Sequence, residues 1–256
     1  MNVHDNSHVY LSESQARELE DVYNGLLDKF RGVSGNTDAE FTYKTILELI
    51  DSIIERLTST GRSLLLFCSK VYGEDYIFAH SFNVCLIAVR IGIKLNLDKA
   101  RLEKLGFLTL THAGKDLGFP EDVFRQIEPD TELDEIMRLA DVYDALTQPP
   151  PHRHTTTPYE TITSVIDSPG IFPANLTKIL LEEIGLYPEG SWVQLSNREI
   201  GKVIQASKQM PLRPVVEVFI GSAGIKKVDL SKNMLNHILR PLTAEEAKQK
   251  LSGTKD

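Results

Sequence analysis

The sequence predicts a mainly α protein, a helical bundle with an N-terminal helical extension and a small C-terminal β appendage. Two patterns carry that expectation. Up to Gly190 apolar residues recur with a period near 3.6, and beyond it they alternate along short runs rich in β-branched and aromatic residues. A length of 256 residues suits one large domain or a domain with an appendage. The change of pattern draws the boundaries at 1–57 for the tail and extension, 58–190 for the bundle, and 191–256 for the β appendage and C-terminal tail.

The elements follow in order. Ser12, with Gln15 three residues on, forms a capping box, and Leu19, Val22, Leu26 and Phe30 continue at helical spacing until the Gly32 to Gly35 segment. Thr42 to Leu57 places Ile46, Leu49, Ile50, Ile53, Ile54 and Leu57 on one wide face of an amphipathic helix. Further helices are expected over Gly61 to Val71, Ile77 to Leu95, Leu97 to Thr111, Leu133 to Leu146, Pro158 to Ile166 and Pro173 to Ile184. Strands are expected at Trp192 to Leu195, with a turn at Asn197, then at Gly201 to Ile204 and Val215 to Ile220. Met234 to Leu239 reads as a helical turn, and Thr243 to Asp256 as a charged, frayed tail.

Composition excludes several classes. With 28 Lys and Arg against 36 Asp and Glu, the net charge of -8 argues against a nucleic-acid polymer as partner, although a local basic pocket stays open. Cys68 and Cys85 are too few for a disulfide scaffold and lack zinc-ribbon spacing, so a reducing cytoplasmic setting is the simplest. The longest apolar stretches, Ser63 to Cys68 and Val84 to Ile93, are short, and Arg90 interrupts the second, so no membrane span is expected. The N-terminus lacks the basic start and apolar run of a signal peptide.

Two histidines stand where helical geometry makes them informative. His80 shares a face with Val84, Ile87 and Ile91, and His112 ends the next helix on the stripe of Leu105 and Leu108. Asp141 lies on the helix of Leu133, Met137 and Leu146, with Asp144 one turn later. Imidazoles and carboxylates arriving from three helices are a ligand set for a divalent metal. The plainer alternatives are histidines hydrogen-bonded within a core, and carboxylates that pair with Arg138 or Arg153.

These residues also carry a resemblance. The run from Asp75 to Val84 is similar to the "DYTFxHSxxV" helix start of the HD-GYP family, and His112 follows His80 by 32 residues, where that family has the His of its HD motif. Leu139 to Thr147 resembles "VADVYDALT", Pro151-His152-Arg153 stands where "RPYR" ends, and Ile184 to Asn197 resembles "LGIYPVGSLVxLSNG". The likeness runs from about Leu47 to Val218 in matching order. It implies an HD-domain helical bundle and cleavage of cyclic di-GMP at a di- or trinuclear metal centre. Carried over residue by residue, it places His80, His112 and Asp141 at metal-ligand positions and Asp144 on the second Asp of its motif. Lys115, Asp144 and Arg153 become candidate ligand-binding residues, the two cations as contacts for phosphate, with Lys115 and Asp144 as catalytic candidates; surface solubility is the alternative for both cations.

Departures from the pattern decide what the resemblance implies. The family's H-D-x-G-K reads here His112-Ala113-Gly114-Lys115, one position short, and alanine ligates nothing. Asp116 is near in sequence, but beyond Gly114 its direction is not set by helix geometry. A central stretch bearing further histidine ligands and the Gly-Tyr-Pro loop has no counterpart between Pro120 and Glu132. Aligning His112 to Pro120 on the Gly-Tyr-Pro segment instead also loses ligands. Tyr76 replaces an acidic ligand, and Pro150 replaces the first arginine of "RPYR". The expectation is a degenerate HD-GYP-like signalling protein that binds a protein partner or a cyclic dinucleotide, with one divalent metal (iron, manganese or zinc) or none. A mononuclear phosphohydrolase is the alternative. A homodimer through the helices from Ser12 to Leu57 is weighed against packing of those helices on their own bundle, which is favoured.

Overall fold

The computed structural model describes residues 13–69, 76–114, 116–126, 128–148, 154–207, 209–220 and 224–252. The helical body comprises α1 (Glu13–Arg31), α2 (Ala39–Ser59), a 3-10 helix (Gly61–Ser69), α3 (Tyr76–Lys94), α4 (Lys99–Thr111), a second 3-10 helix (Glu121–Gln126), α5 (Thr131–Thr147), α6 (Pro158–Ile166) and α7 (Ala174–Ile184). Side chains mark the starts: Asp38, Asp98 and Asp130 cap α2, α4 and α5, and Thr157 forms a reciprocal capping box with Glu160 before Pro158. The Ser12 cap expected for α1 lies outside the described residues. Gly61 to Ser69 is wound as a 3-10 helix rather than the expected α-helix.

The central element is α3, which packs against α1, α2, α4, α5 and α7. Surrounded on all sides, it has no polar face. Among the described residues it is the one helix long and apolar enough to cross a membrane, a longer apolar element than the sequence reading allowed, and 78% of that window is buried inside the protein. Tyr23, Leu27 and Phe30 of α1 and Ile46, Ile50 and Ile53 of α2 lie in the same core as Phe82, Leu86 and Ile87. The apolar stripes of the first two helices are therefore spent on their own body. Gly106 lets α4 approach α2: a Cβ there would lie 2.7 Å from Ile50 Cγ2.

Asn83 and Arg90, buried on α3, find partners on its neighbours, whereas the Ser81 hydroxyl is buried without one. Asn83 accepts from the Tyr23 hydroxyl at 2.7 Å and donates to the Cys68 carbonyl at 3.2 Å. Arg90 donates from Nε to Glu183 of α7 at 2.6 Å and from Nη1 to the Leu57 carbonyl at 3.1 Å. Lys94 Nζ stands 3.3 Å from the other Glu183 oxygen.

The appendage is a five-stranded antiparallel sheet of β1 (Trp192–Leu195), β2 (Ile200–Gln205), β3 (Val215–Phe219), β4 (Ile225–Asp229) and β5 (Ile238–Leu242), followed by α8 (Ala244–Ser252). Its order is β4-β3-β2-β1-β5, so the chain crosses from one edge to the other between β4 and β5. Alternation buries Val193, Leu195, Val203, Val216, Val218 and Val228 on one face, where Tyr187 stacks on Tyr159 of α6 at 5.1 Å. Ile238 to Leu239 begins β5, because Leu195 and Gln194 offer a paired edge, and no helical turn forms. The strand Ile225–Asp229 was not foreseen, because only Val228 of its five residues is buried and no alternation shows. The expected frayed tail holds α8, whose Thr243 and Glu246 cap each other and whose Ala247 packs beside Ile200 and Leu242.

Replacing Glu183 by Ala leaves Arg90 buried without its carboxylate. The expected loss is about 3–5 kcal/mol in urea unfolding, with Glu183→Gln losing less because it keeps an acceptor. A loss below about 1 kcal/mol would mean that the pair does not clamp α7 to α3.

Candidate metal centre

Three helices deliver the candidate ligands to one point. His80 lies one turn into α3, His112 is the C-cap of α4, and Asp141 lies in the C-terminal half of α5. His80 Nε2 is 3.0 Å from Asp141 Oδ1, and His112 Nε2 is 3.9 Å from the same oxygen. One ligand atom from each of the three residues lies within 4.8 Å of the others, which makes this a group that could hold a metal ion. Donors about 2.0–2.2 Å from a common ion stand roughly 3–4 Å apart, so a small contraction suffices.

The partners of the remaining ring nitrogens make the arrangement directional. His80 Nδ1 donates to Asp144 Oδ2 at 2.8 Å, from the side of the ring opposite Asp141. His112 Nδ1 meets the Thr109 carbonyl at 2.6 Å; because a carbonyl only accepts, that nitrogen carries the hydrogen. The lone pair of neutral His112 is thereby placed on Nε2, facing Asp141. Outer acceptors of this kind set tautomer and ring direction in metal-binding histidines. Ring contacts fix the planes as well: Tyr76 stacks on His80 with centroids 5.4 Å apart and an 8° tilt, and His112 meets His80 nearly edge-on at 5.3 Å.

The electrostatics follow from burial and these bonds. For His80, burial lowers the pKa, but hydrogen bonds and charge from Asp141 and Asp144 outweigh it and raise the group to about 9. Without a cation the ring therefore holds both hydrogens and bridges the two carboxylates. His112 is shifted down, mainly by burial, and is neutral near pH 7. The bond from His80 pulls Asp141 below the usual carboxylate range. Burial pushes Asp144 up to about 6 against the opposing bond from His80.

Not every sequence candidate joins the cluster. Asp144 is 1% exposed and touches His80 from behind, so it acts through that ring. Lys115 and Arg153 lie outside the described residues. Arg138, an alternative partner for Asp141, instead donates to the Ile171 carbonyl at 2.7 Å and lies over the Phe172 ring. Ala113 is half-buried against the core, and exposed Asp116 follows the helix end in a turn; neither is among the three grouped ligands. Tyr76 and Thr109 are the contributors that sequence reasoning missed as orienting groups. Their signals were the i, i+4 spacing of Tyr76 to His80 and the i, i+3 spacing of Thr109 to His112. A cavity of about 390 Å³ lies elsewhere, between Lys94, Leu181 and Tyr187 on one side and Ala206 and Pro211 on the other.

A divalent ion held here would be bound through His80 Nε2, His112 Nε2 and Asp141, and would supply Lewis acidity and a lowered pKa for a bound water. Binding requires neutral His80. Because its proton leaves only near pH 9, apparent metal affinity is expected to rise about tenfold per pH unit from neutrality toward 9, with about one proton released per ion. Calorimetry in buffers of different ionisation enthalpy measures that proton. Asp144→Asn is expected to weaken metal binding about 10–100-fold.

Comparison with known proteins gives two likenesses. Residues 192–250 match the family described as KOW domain associated with HD domain. The cyclic di-GMP phosphodiesterase PA4108 of Pseudomonas aeruginosa is 20% identical over 229 residues, which take in 68% of this chain and 55% of that protein. The chain thus spans about half the length of the curated relative it matches. The 229 aligned positions exceed 68% of 256 residues, so the relative carries residues along this span without counterpart here. No solved structure matches the chain. Both likenesses point toward HD-domain proteins, which accords with the helical body and the His80, His112 and Asp141 cluster.

Proposed function

We propose that this chain is a degenerate HD-GYP-like signalling protein of the cytoplasm, one that acts by binding a cyclic dinucleotide or a protein partner rather than by hydrolysis. The observation that carries this reading is the ligand set. Among the described residues the one group able to hold an ion has three members, and the position of the HD aspartate is Ala113. In-line cleavage of a phosphodiester is fast when two cations clamp the attacking and leaving oxygens. Two imidazoles and one carboxylate suit a single ion, and loss of one preorganised electrophile costs roughly 100–1,000-fold in rate. The direct passage from α4 through a short 3-10 helix to α5 supports the reading, as do the residues of the phosphodiesterase that the alignment leaves unmatched. The test is incubation of the purified chain, loaded in turn with manganese, iron and zinc, with cyclic di-GMP and with pGpG. The expected result is no turnover above that of His112→Ala, with cyclic di-GMP recovered intact; turnover abolished by that substitution overturns the proposal.

One observation favours a second reading, a mononuclear metal-dependent phosphohydrolase. Both histidines keep an outer acceptor on Nδ1, Asp144 and the Thr109 carbonyl, and both turn Nε2 toward Asp141, an arrangement that serves metal binding. That reading expects one ion per chain in elemental analysis after loading; a metal-free chain removes it.

A further inference from the structure

A small recess lies where the helical body meets the sheet module, apart from the candidate metal centre. Its walls include Leu65 of the first 3-10 helix, Ile87 of α3, Tyr143 and Gln148 at the end of α5, Pro188 on the way to β1, and Ala206 just after β2. Most of this lining is apolar, and the recess has a volume of about 50 Å³. A water needs about 10–15 Å³ and a void that holds benzene is about 150 Å³, so the space takes the end of a short chain and not a ring.

The polar groups of the lining divide into those already answered and those left open. The Thr147 hydroxyl donates to the Tyr143 carbonyl at 2.8 Å, and the Glu183 carboxylate is shared by Arg90 and Lys94. Gln148 Oε1, in contrast, is buried with no hydrogen-bond partner. Tyr143 is 6% exposed, and its hydroxyl likewise has no partner among the described residues. Burial raises the pKa of that hydroxyl, which therefore keeps its hydrogen. An oxygen that only accepts thus lines the same recess as a hydroxyl that both donates and accepts. A buried acceptor left unanswered is costly, and a ligand that answers it recovers the cost.

Charge narrows the occupant. Among the described residues no lysine, arginine or histidine lines the recess, whereas Glu183 and Glu189 do. An anion would lose its water beside two carboxylates with no cation to meet it. A cation would compete with Arg90 and Lys94 for Glu183, and Glu189 is already engaged. The chemistry that fits is an uncharged head, donating to Gln148 and accepting from Tyr143, on a short aliphatic body.

We propose that this recess is a binding site for a small uncharged molecule, a short aliphatic chain ending in a carboxamide or an alcohol. The body supplies one wall and the chain around β2 another, so the bound molecule holds the two parts together. His80, His112 and Asp141 do not line it, so the proposal goes beyond the reading of the metal centre and stands whichever way the hydrolysis assay turns.

The test is titration of butanamide into the full chain isotope-labelled at its isoleucine methyls, with butanol, butanoate and butylammonium as comparisons. Butanamide and butanol are expected to give saturable shifts of the Ile87 methyl and nuclear Overhauser contacts to it. Ala206→Leu, which fills the recess, abolishes both signals, and an unchanged circular dichroism spectrum confirms that the variant folds. Gln148→Met and Tyr143→Phe each weaken binding about three- to tenfold. Gln148→Met also leaves the melting temperature of the free chain unchanged or raised, because it removes an unanswered acceptor and keeps the volume. The proposal is overturned if butanamide makes no contact with Ile87, if binding is indifferent to Ala206→Leu, or if butanoate or butylammonium binds there as tightly as butanamide. A lowered melting temperature of Gln148→Met overturns it as well, since the oxygen would then be answered in the free chain.

Discussion

Enclosure of α3 on every side is the constraint from which the rest of the structure follows. An apolar helix wrapped by five others contributes much of the core, and leaving a polar group on it unanswered is costly because water is largely kept out; Ser81 is left so, but three larger groups are answered. Asn83 is answered by Tyr23 and Cys68, Arg90 by Glu183 and Leu57, and His80 by Asp144 and Asp141. These three answers tie α1, α7 and α5 to the same helix. The candidate metal centre is the outermost of them, where the core meets solvent and one carboxylate, Asp141, is 42% exposed.

That position explains the division of labour between the two carboxylates. They lie three residues apart on α5, nearly one turn, yet burial drives the pKa of Asp144 up while contact with His80 draws that of Asp141 down. The enclosed one orients the imidazole, and the open one is free to meet a cation. Without an ion, the proton on His80 does the bridging that a cation would otherwise do.

Tyr187 packs into the sheet's core while it stacks on Tyr159 of the body, and the module of residues 192–250 inverts the charge of the rest of the chain. Its interior is a simple alternation of valines and leucines, and its unusual feature is the aliphatic run left outside between its two edge strands. A module this small has two faces to bury: the tyrosines cover one and α8 part of the other. What remains uncovered is where contact with other molecules costs the least desolvation.

Helical periodicity in the sequence by itself determined the body: the expected helices from Thr42 onward recur within a few residues, because caps such as Asp98 and Thr157 and apolar stripes are local signals. It also determined the candidates His80, His112 and Asp141, since inward polar residues on apolar faces are visible from spacing. Strand Ile225–Asp229 and the pairing of Ile238–Leu242 beside β1 were decided only by tertiary structure. An edge strand shows its alternation weakly, and its partner lies more than 40 residues away along the chain for Leu195 and Ile238. The same holds at the candidate site. Sequence could nominate the ligands, but only the packing of α3, α4 and α5 could direct both Nε2 atoms at one carboxylate oxygen, because side-chain direction is set by what encloses the ring.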